Sequence, residues 1–198
     1  MLRTAFLFCL LISSSFVNAQ TTKSYSDSIF AYRKDYTENH EVVKDDDKKY
    51  FRFFPIDSTY RVICRFEKIE DKKGFLMKSS GTIINRYFKF GILNFTLHDT
   101  AVSLYIYQNK SLMKNPKYKD YLFVPYTDNT SGYESHGSGR YLDLSIGDIK
   151  NNTVILDFNK AYNPYCAYSS GYSCPIPPKE NDLPVSVKAG EMEFAKPF

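Results

Sequence analysis

From Thr59 onward, apolar and polar residues alternate in short runs, and this alternation limits the fold more than any other feature. In "YRVICRFEKI", Tyr60, Val62, Cys64 and Phe66 alternate with Arg61, Ile63, Arg65 and Glu67. Successive side chains of a strand point to opposite faces, so a period of two predicts a half-buried strand with Cys64 on its inner face. Comparable runs occupy 59–69, 74–79, 82–90, 92–98 and 101–108, punctuated by "DKKG", "SG", "FG" and "HDT". Others follow at 121–126, 140–149, 153–159 and 184–195, and Gly91 marks a bulge or a tight turn. Before this region, Ile29, Tyr32, Arg33 and Tyr36 recur at helical spacing, predicting a helix from Ser24 to about Val43. A short helical turn after Asp45 to Asp47 would place Tyr50, Phe51 and Phe54 inward. The expected class is mainly β (α+β): an antiparallel β-sandwich or small β-barrel with an N-terminal helix.

The first nineteen residues read as an address. Arg3 precedes the apolar core "AFLFCLLI", and "SSSFVNA" ends in a small-residue cleavage pattern. Such a segment predicts a secretory signal over residues 1–19, removed near Ala19-Gln20, with export to the periplasm or medium. Residues 20–198 then form one domain, long enough to bury about 70% of its unfolded surface. The formal net charge of +4 is too small and too scattered to predict nucleic-acid binding, and stable membrane insertion is not expected. Oligomeric state is not legible. The run "KDDDKK" (44–49) reads as a solvated turn.

Two stretches carry most of the polar groups that can do chemistry. In "YTDNTSGYESHGSGRYLDL", Asp128, Thr130, Gly132, Glu134 and His136 stand at every second position and would share one face if the segment were extended. A glycine-rich turn then delivers Arg140, with Asp143 further on. Carboxylates beside a guanidinium suit either anion binding or acid–base work, whereas hairpin ties are the structural use of the same groups. Gly132 is one place early for a calcium loop. In "LDFNKAYNPYCAYSSGYSCPIPPKEND", Asp157 and Asn159 face away from Leu156 and Phe158, and Asn163-Pro164 opens a turn. Pro175, Pro177 and Pro178 then stiffen the exit toward Glu180 and Asn181. In an oxidising compartment Cys166 and Cys174 are the natural disulfide, worth about 2–3 kcal/mol, and Cys64 is left unpaired. Zinc-site spacing is lacking, so no metal is expected. Phosphate-cradling loops, His-Glu-x-x-His helices and Gly-x-Ser-x-Gly turns are also missing, and no cofactor is indicated.

These two stretches and the later "VKAGE" resemble, in order, the bacterial and archaeal family catalogued as domain of unknown function 1684. The resemblance implies no activity. It does imply that Asp128–Arg140 and Asn159–Asn181 are signature regions that meet in space. His136 stands where the family is expected to show Tyr more often, so His136 is left out of the candidates. Those are Asp128, Glu134, Arg140, Asp157, Asn159, Asn163, Glu180 and Asn181. The leading expectation is a polar pocket for a small anionic or hydroxylated ligand, with Arg140 binding a carboxylate or phosphate. A hydrolase with Glu134 or Asp128 as base and Glu180 as acid is one alternative, and a structural or partner-binding envelope module is another. Whether the protein is an enzyme stays open.

Overall fold

The computed structural model describes residues 13–196. The expected leader, residues 1–19, lies largely outside the described residues. Helix α1 spans Ser13–Glu38. The strands are β1 (Arg61–Lys68), β2 (Phe75–Met77), β3 (Asn85–Leu97), β4 (Thr100–Asn109), β5 (Tyr121–Asp128), β6 (Arg140–Ser145), β7 (Thr153–Asp157) and β8 (Asp182–Leu183). They form one curled sheet in the order β6-β5-β4-β3-β1-β7, with β2 on β3 and β8 on β5. Pairing is antiparallel except for β8, and the sheet makes a half-barrel whose end strands are β6 and β7.

The predicted alternation places the core. Cys64 and Phe66 of β1, Leu104 and Ile106 of β4, and Leu122, Val124 and Tyr126 of β5 face one interior with Leu156 and Phe158. Tyr107, Phe123 and Tyr141, the intervening residues, pack with Met77 and Tyr87 on the opposite face. Cys64 has no exposed surface, and burial pushes its thiol up to about 12.

Three boundaries differ from expectation. Residues 82–90 and 92–98 join as the single strand β3, because Gly91 makes a bulge where the register against β4 shifts between Lys89 and Gly91. A Cβ at Gly91 would meet the Phe66 ring and come within 2.7 Å of the Glu67 carbonyl, so glycine is what lets β3 pass β1 there. The helix stops at Glu38 rather than Val43. The Asn39 side chain ties back to Asp35 at 2.8 Å, and His40 Nδ1 accepts the Val42 and Val43 amides at 3.3 and 2.9 Å. The expected strand at 184–195 does not form; the short strand β8 ends just before it, at Leu183. A turn of 3-10 helix at Asp45–Tyr50 does follow, and Phe54 beyond it is buried.

Candidate functional site

β5 and β6 form the predicted hairpin, with Tyr126 opposite Arg140. The segment between them is not extended. The Ser131 N–H bonds the Asp128 carbonyl at 2.9 Å, and the Glu134 N–H bonds that of Thr130 at 3.0 Å. These turns scatter the five alternating residues, so Asp128 is buried, Glu134 is half-buried and Gly132 is exposed. Arg140 has no solvent-facing surface. Its Nη2 lies 2.8 Å from Asp128 Oδ2 and 2.8 Å from the Val187 carbonyl. Its Nη1 donates to the carbonyls of Ala189 at 2.5 Å and Glu191 at 3.1 Å. Asp128 Oδ1 accepts the Val187 amide at 3.1 Å. A guanidinium offers its donors in a planar fork, and here the fork takes three alternate carbonyls of 187–191 that a neighbouring strand would otherwise satisfy. That is why 184–195 runs beside the sheet without joining it.

The two signature regions do meet, and they meet over Glu191. The Asn163 amide donates to Glu191 Oε2 at 2.9 Å, Tyr168 Oη donates to both carboxyl oxygens at 2.8 and 2.7 Å, and Tyr36 Oη of α1 reaches Oε2 at 3.1 Å. Glu191 is fully buried. Burial raises its carboxyl to about 7, and the donors and Arg140 offset only part of that rise. Asn163 Nδ2 also holds the Met192 carbonyl at 2.8 Å.

The other candidates lie elsewhere. Asn159 is buried beneath α1, where Nδ2 donates to the Asp57 carbonyl at 2.7 Å and Oδ1 accepts the Asp57 amide at 3.0 Å. Asp157 accepts Tyr25 Oη at 2.9 Å and the Asn159 amide at 3.1 Å. Asn181 replaces a strand partner: it accepts the Tyr105 amide at 2.8 Å and donates to the carbonyls of Tyr105 at 2.9 Å and Pro125 at 2.7 Å. β4 and β5 are paired at Tyr107 and Phe123, and this amide bridges them where they splay. Glu180 lies 2.9 Å from Lys89; burial works against ionisation, but Lys89 prevails and holds the carboxyl below its ordinary value. Glu134 pairs with Lys188 at 3.0 Å on the surface. The three carboxylates weighed for acid–base work are thus each engaged by a cation, and Glu191, a carboxyl raised by burial, is sealed from solvent.

A cavity lies at the seam where the half-barrel does not close. About 630 Å³ lies between β6 (Leu142, Asp143, Leu144) and β7 (Ile155, Leu156, Asp157), with Tyr32 of α1 and Tyr162 at its wall. Arg61, Lys150 and Lys160 line it too. Its acids have partners within the protein: Asp143 accepts Tyr121 Oη at 2.7 Å and Tyr162 Oη at 2.8 Å, Asp148 accepts the Ser145 amide at 2.7 Å, and Asp157 holds Tyr25. None of the three cations makes an ion pair among the described residues. Sequence reasoning singled out Asp157 here but missed the cations, which are far apart in the chain and join only through strand order.

Cys166 and Cys174 are free thiols in this structure, as is Cys64, so the expected disulfide is not formed. They are nonetheless adjacent: the Cys166 amide donates to Cys174 Sγ at 3.2 Å.

A family model described as "Protein of unknown function (DUF1684)" matches residues 48–192. The chain belongs to the DUF1684 family. That span takes in β1 to β8, the Arg140–Asp128 pair and Glu191, so the polar framework described above lies within the family's own region. A solved structure similar to this one is the solution NMR structure of an uncharacterized protein of Haloarcula marismortui. It is 28% identical, covers 87% of this chain and 96% of its own, and gives a TM-score of 0.63. A search of the curated proteins finds no match. Among the described residues, no helix is long and apolar enough to cross a membrane.

Proposed function

We propose that this DUF1684 protein binds a small anionic or hydroxylated ligand in the seam between β6 and β7. The observation that carries the reading is the charge balance of the cavity wall. Asp143, Asp148 and Asp157 accept hydrogen bonds from the protein, while Arg61, Lys150 and Lys160 have no acidic partner among the described residues. An anion entering the cavity meets cations that give up no existing ion pair, and the Tyr32 and Tyr162 side chains lie within reach of its hydroxyl groups. The cation expected to serve this role, Arg140, is occupied by the 187–191 segment, and Arg61, Lys150 and Lys160 take its place. Asp128, Asn159, Asn163 and Asn181 then shape the scaffold, and Asp157 belongs to the wall.

Thermal unfolding of the full protein in inorganic phosphate, citrate and sodium chloride of matched ionic strength tests this. Binding confined to the native state stabilises by about 2.7 kcal/mol at a hundred times Kd, so phosphate or citrate should raise Tm saturably where chloride does not. The rise should vanish in an Arg61→Ala, Lys160→Ala double variant. A rise that survives in that variant, or none at tens of millimolar, removes the site. We also propose export with cleavage near Ala19-Gln20, which the leader composition supports; N-terminal sequencing of the protein made in its native host should begin at Gln20, and a retained Met1 would overturn it.

A further inference from the structure

A second constellation lies away from the seam. Cys166 sits on the 3-10 turn Tyr165–Ala167, partly exposed, and Cys174 sits buried at the far end of the same loop. The loop is docked on the residues after β2: the Ser80 amide donates to the Cys174 carbonyl at 2.9 Å, and the Cys174 amide donates to Ser80 Oγ at 3.0 Å. His136 lies on the loop between β5 and β6, and its ring and the Cys166 thiol shift each other's protonation. Its Nδ1 lies 3.3 Å from Glu193 Oε1, while its Nε2 is buried and lacks a hydrogen-bond partner. A cavity of about 320 Å³, walled by Tyr165, Tyr172, Cys174 and Pro175, reaches the Cys174 end of the pair. Among the described residues no three His, Cys, Asp or Glu side chains are placed to hold a metal ion.

We propose that Cys166 and Cys174 are a redox-active dithiol, with His136 serving Cys166, that reacts with small disulfides by thiol–disulfide exchange. The electrostatics agree. Burial works to raise the Cys166 thiol, but His136, Cys174 and Ser80 together bring it below its ordinary value, while burial and the Cys166 sulfur push Cys174 up to about 11 against the pull of Ser80. Burial works to lower His136, and interaction with Cys166 and Glu193 overrides it to give about 9. The arrangement favours a Cys166 thiolate facing a His136 imidazolium, beside a Cys174 thiol that keeps its proton. The Cys166 thiolate attacks one sulfur of RSSR, the S–S bond breaks, and the departing RS⁻ takes the imidazolium proton. Cys174 then gives its proton to the neutral imidazole and attacks the Cys166 sulfur, and the second RS⁻ leaves with that proton. Two protein thiols are oxidised to one disulfide, and one RSSR is reduced to two RSH. The bond expected from the sequence is on this account a state the protein enters and leaves.

Glutathione is the probe. In the full-length reduced protein, oxidised glutathione should close a Cys166–Cys174 bond that reduced glutathione reopens, read by alkylation and intact mass. Cys174→Ser should trap one glutathione on Cys166. His136→Gln should slow that capture at pH 7 roughly tenfold, since it removes the charge that favours the thiolate, while leaving far-ultraviolet circular dichroism unchanged. The proposal is overturned if wild-type Cys166 reacts with iodoacetamide no faster than in urea, if Cys174→Ser takes up no glutathione, or if His136→Gln captures at the wild-type rate. A bond that a large excess of reduced glutathione fails to open would also overturn it, marking a purely structural bridge. The wild-type alkylation rate decides the matter even if a variant misfolds.

Discussion

Glu191→Gln isolates the energetics of the buried carboxyl at the centre of the fold. In the native protein burial raises the Glu191 carboxyl from 4.5 to about 7. The folded state therefore holds this proton more tightly than the unfolded chain does. The stability it contributes is complete below about 4.5 and is lost as pH rises through about 7. Each pKa unit corresponds to about 1.4 kcal/mol, so the shift amounts to about 3 kcal/mol across that window. Glutamine cannot ionise, and its carbonyl still accepts the Asn163 amide while its amine can donate to a Tyr36 or Tyr168 hydroxyl. Urea unfolding of wild type and variant at steps from pH 4.5 to 8 gives the comparison, because every other titrating group is common to both. The variant should gain about 3 kcal/mol on the wild type between the two ends of that range. A difference flat to within about 0.5 kcal/mol, or one that grows toward acid, would refute the claim that burial outweighs the surrounding donors at Glu191.

Arg140→Ala should cost about 3–5 kcal/mol in urea unfolding, because it leaves the Asp128 carboxylate and the carbonyls of Val187, Ala189 and Glu191 unpaired in the interior. Asn181→Ala removes three hydrogen bonds between the splayed parts of β4 and β5, and a loss of about 2–4 kcal/mol is expected, with hydrogen exchange quickening at the Tyr105 amide. Gly190→Ala should lose more than about 2 kcal/mol. Gly190 has φ +78°, and a Cβ there would stand 2.7 Å from the Phe158 carbonyl and from Ala161. His40 is held down to about 4, first by burial and then by Lys44 and other charges, so an NMR titration of its ring should find a midpoint near 4. Its contribution to stability is present above the ordinary 6.5 and is lost as pH falls through about 4; a midpoint near 6.5 would show the ring to be solvated.

What could be read directly was what is local or periodic. Alternation located β1 and β7, where one face is buried, and placed Cys64 inside; the apolar runs located β4 and β5, which are packed on both faces, and Gly91, marked as a bulge or a tight turn, is the bulge. The family likeness joined the Asp128–Arg140 and Asn159–Asn181 regions, and both do converge on Glu191. The purpose of those polar residues was not legible, since a buried arginine and a ligand-binding arginine have the same spacing. Burial is a property of the neighbours, and only the fold shows that Arg140 spends its donors on 187–191. The same event erased the strand expected at 184–195: its alternation was real, yet its carbonyls found a guanidinium before they found a sheet edge. His136 was set aside as a family departure, and only the packing of three separate loops brings it to Cys166 and Glu193.

By itself, then, the sequence determined the strands, the helix, the inner faces and the punctuation between them, because these follow from side-chain period and backbone stereochemistry within a few residues. Tertiary structure decided where the sheet fails to close, which cations line that seam, and which carboxyl is sealed away. Each of these depends on strand order and on competition among distant groups for the same hydrogen bonds, and that contest is settled only when the chain is packed.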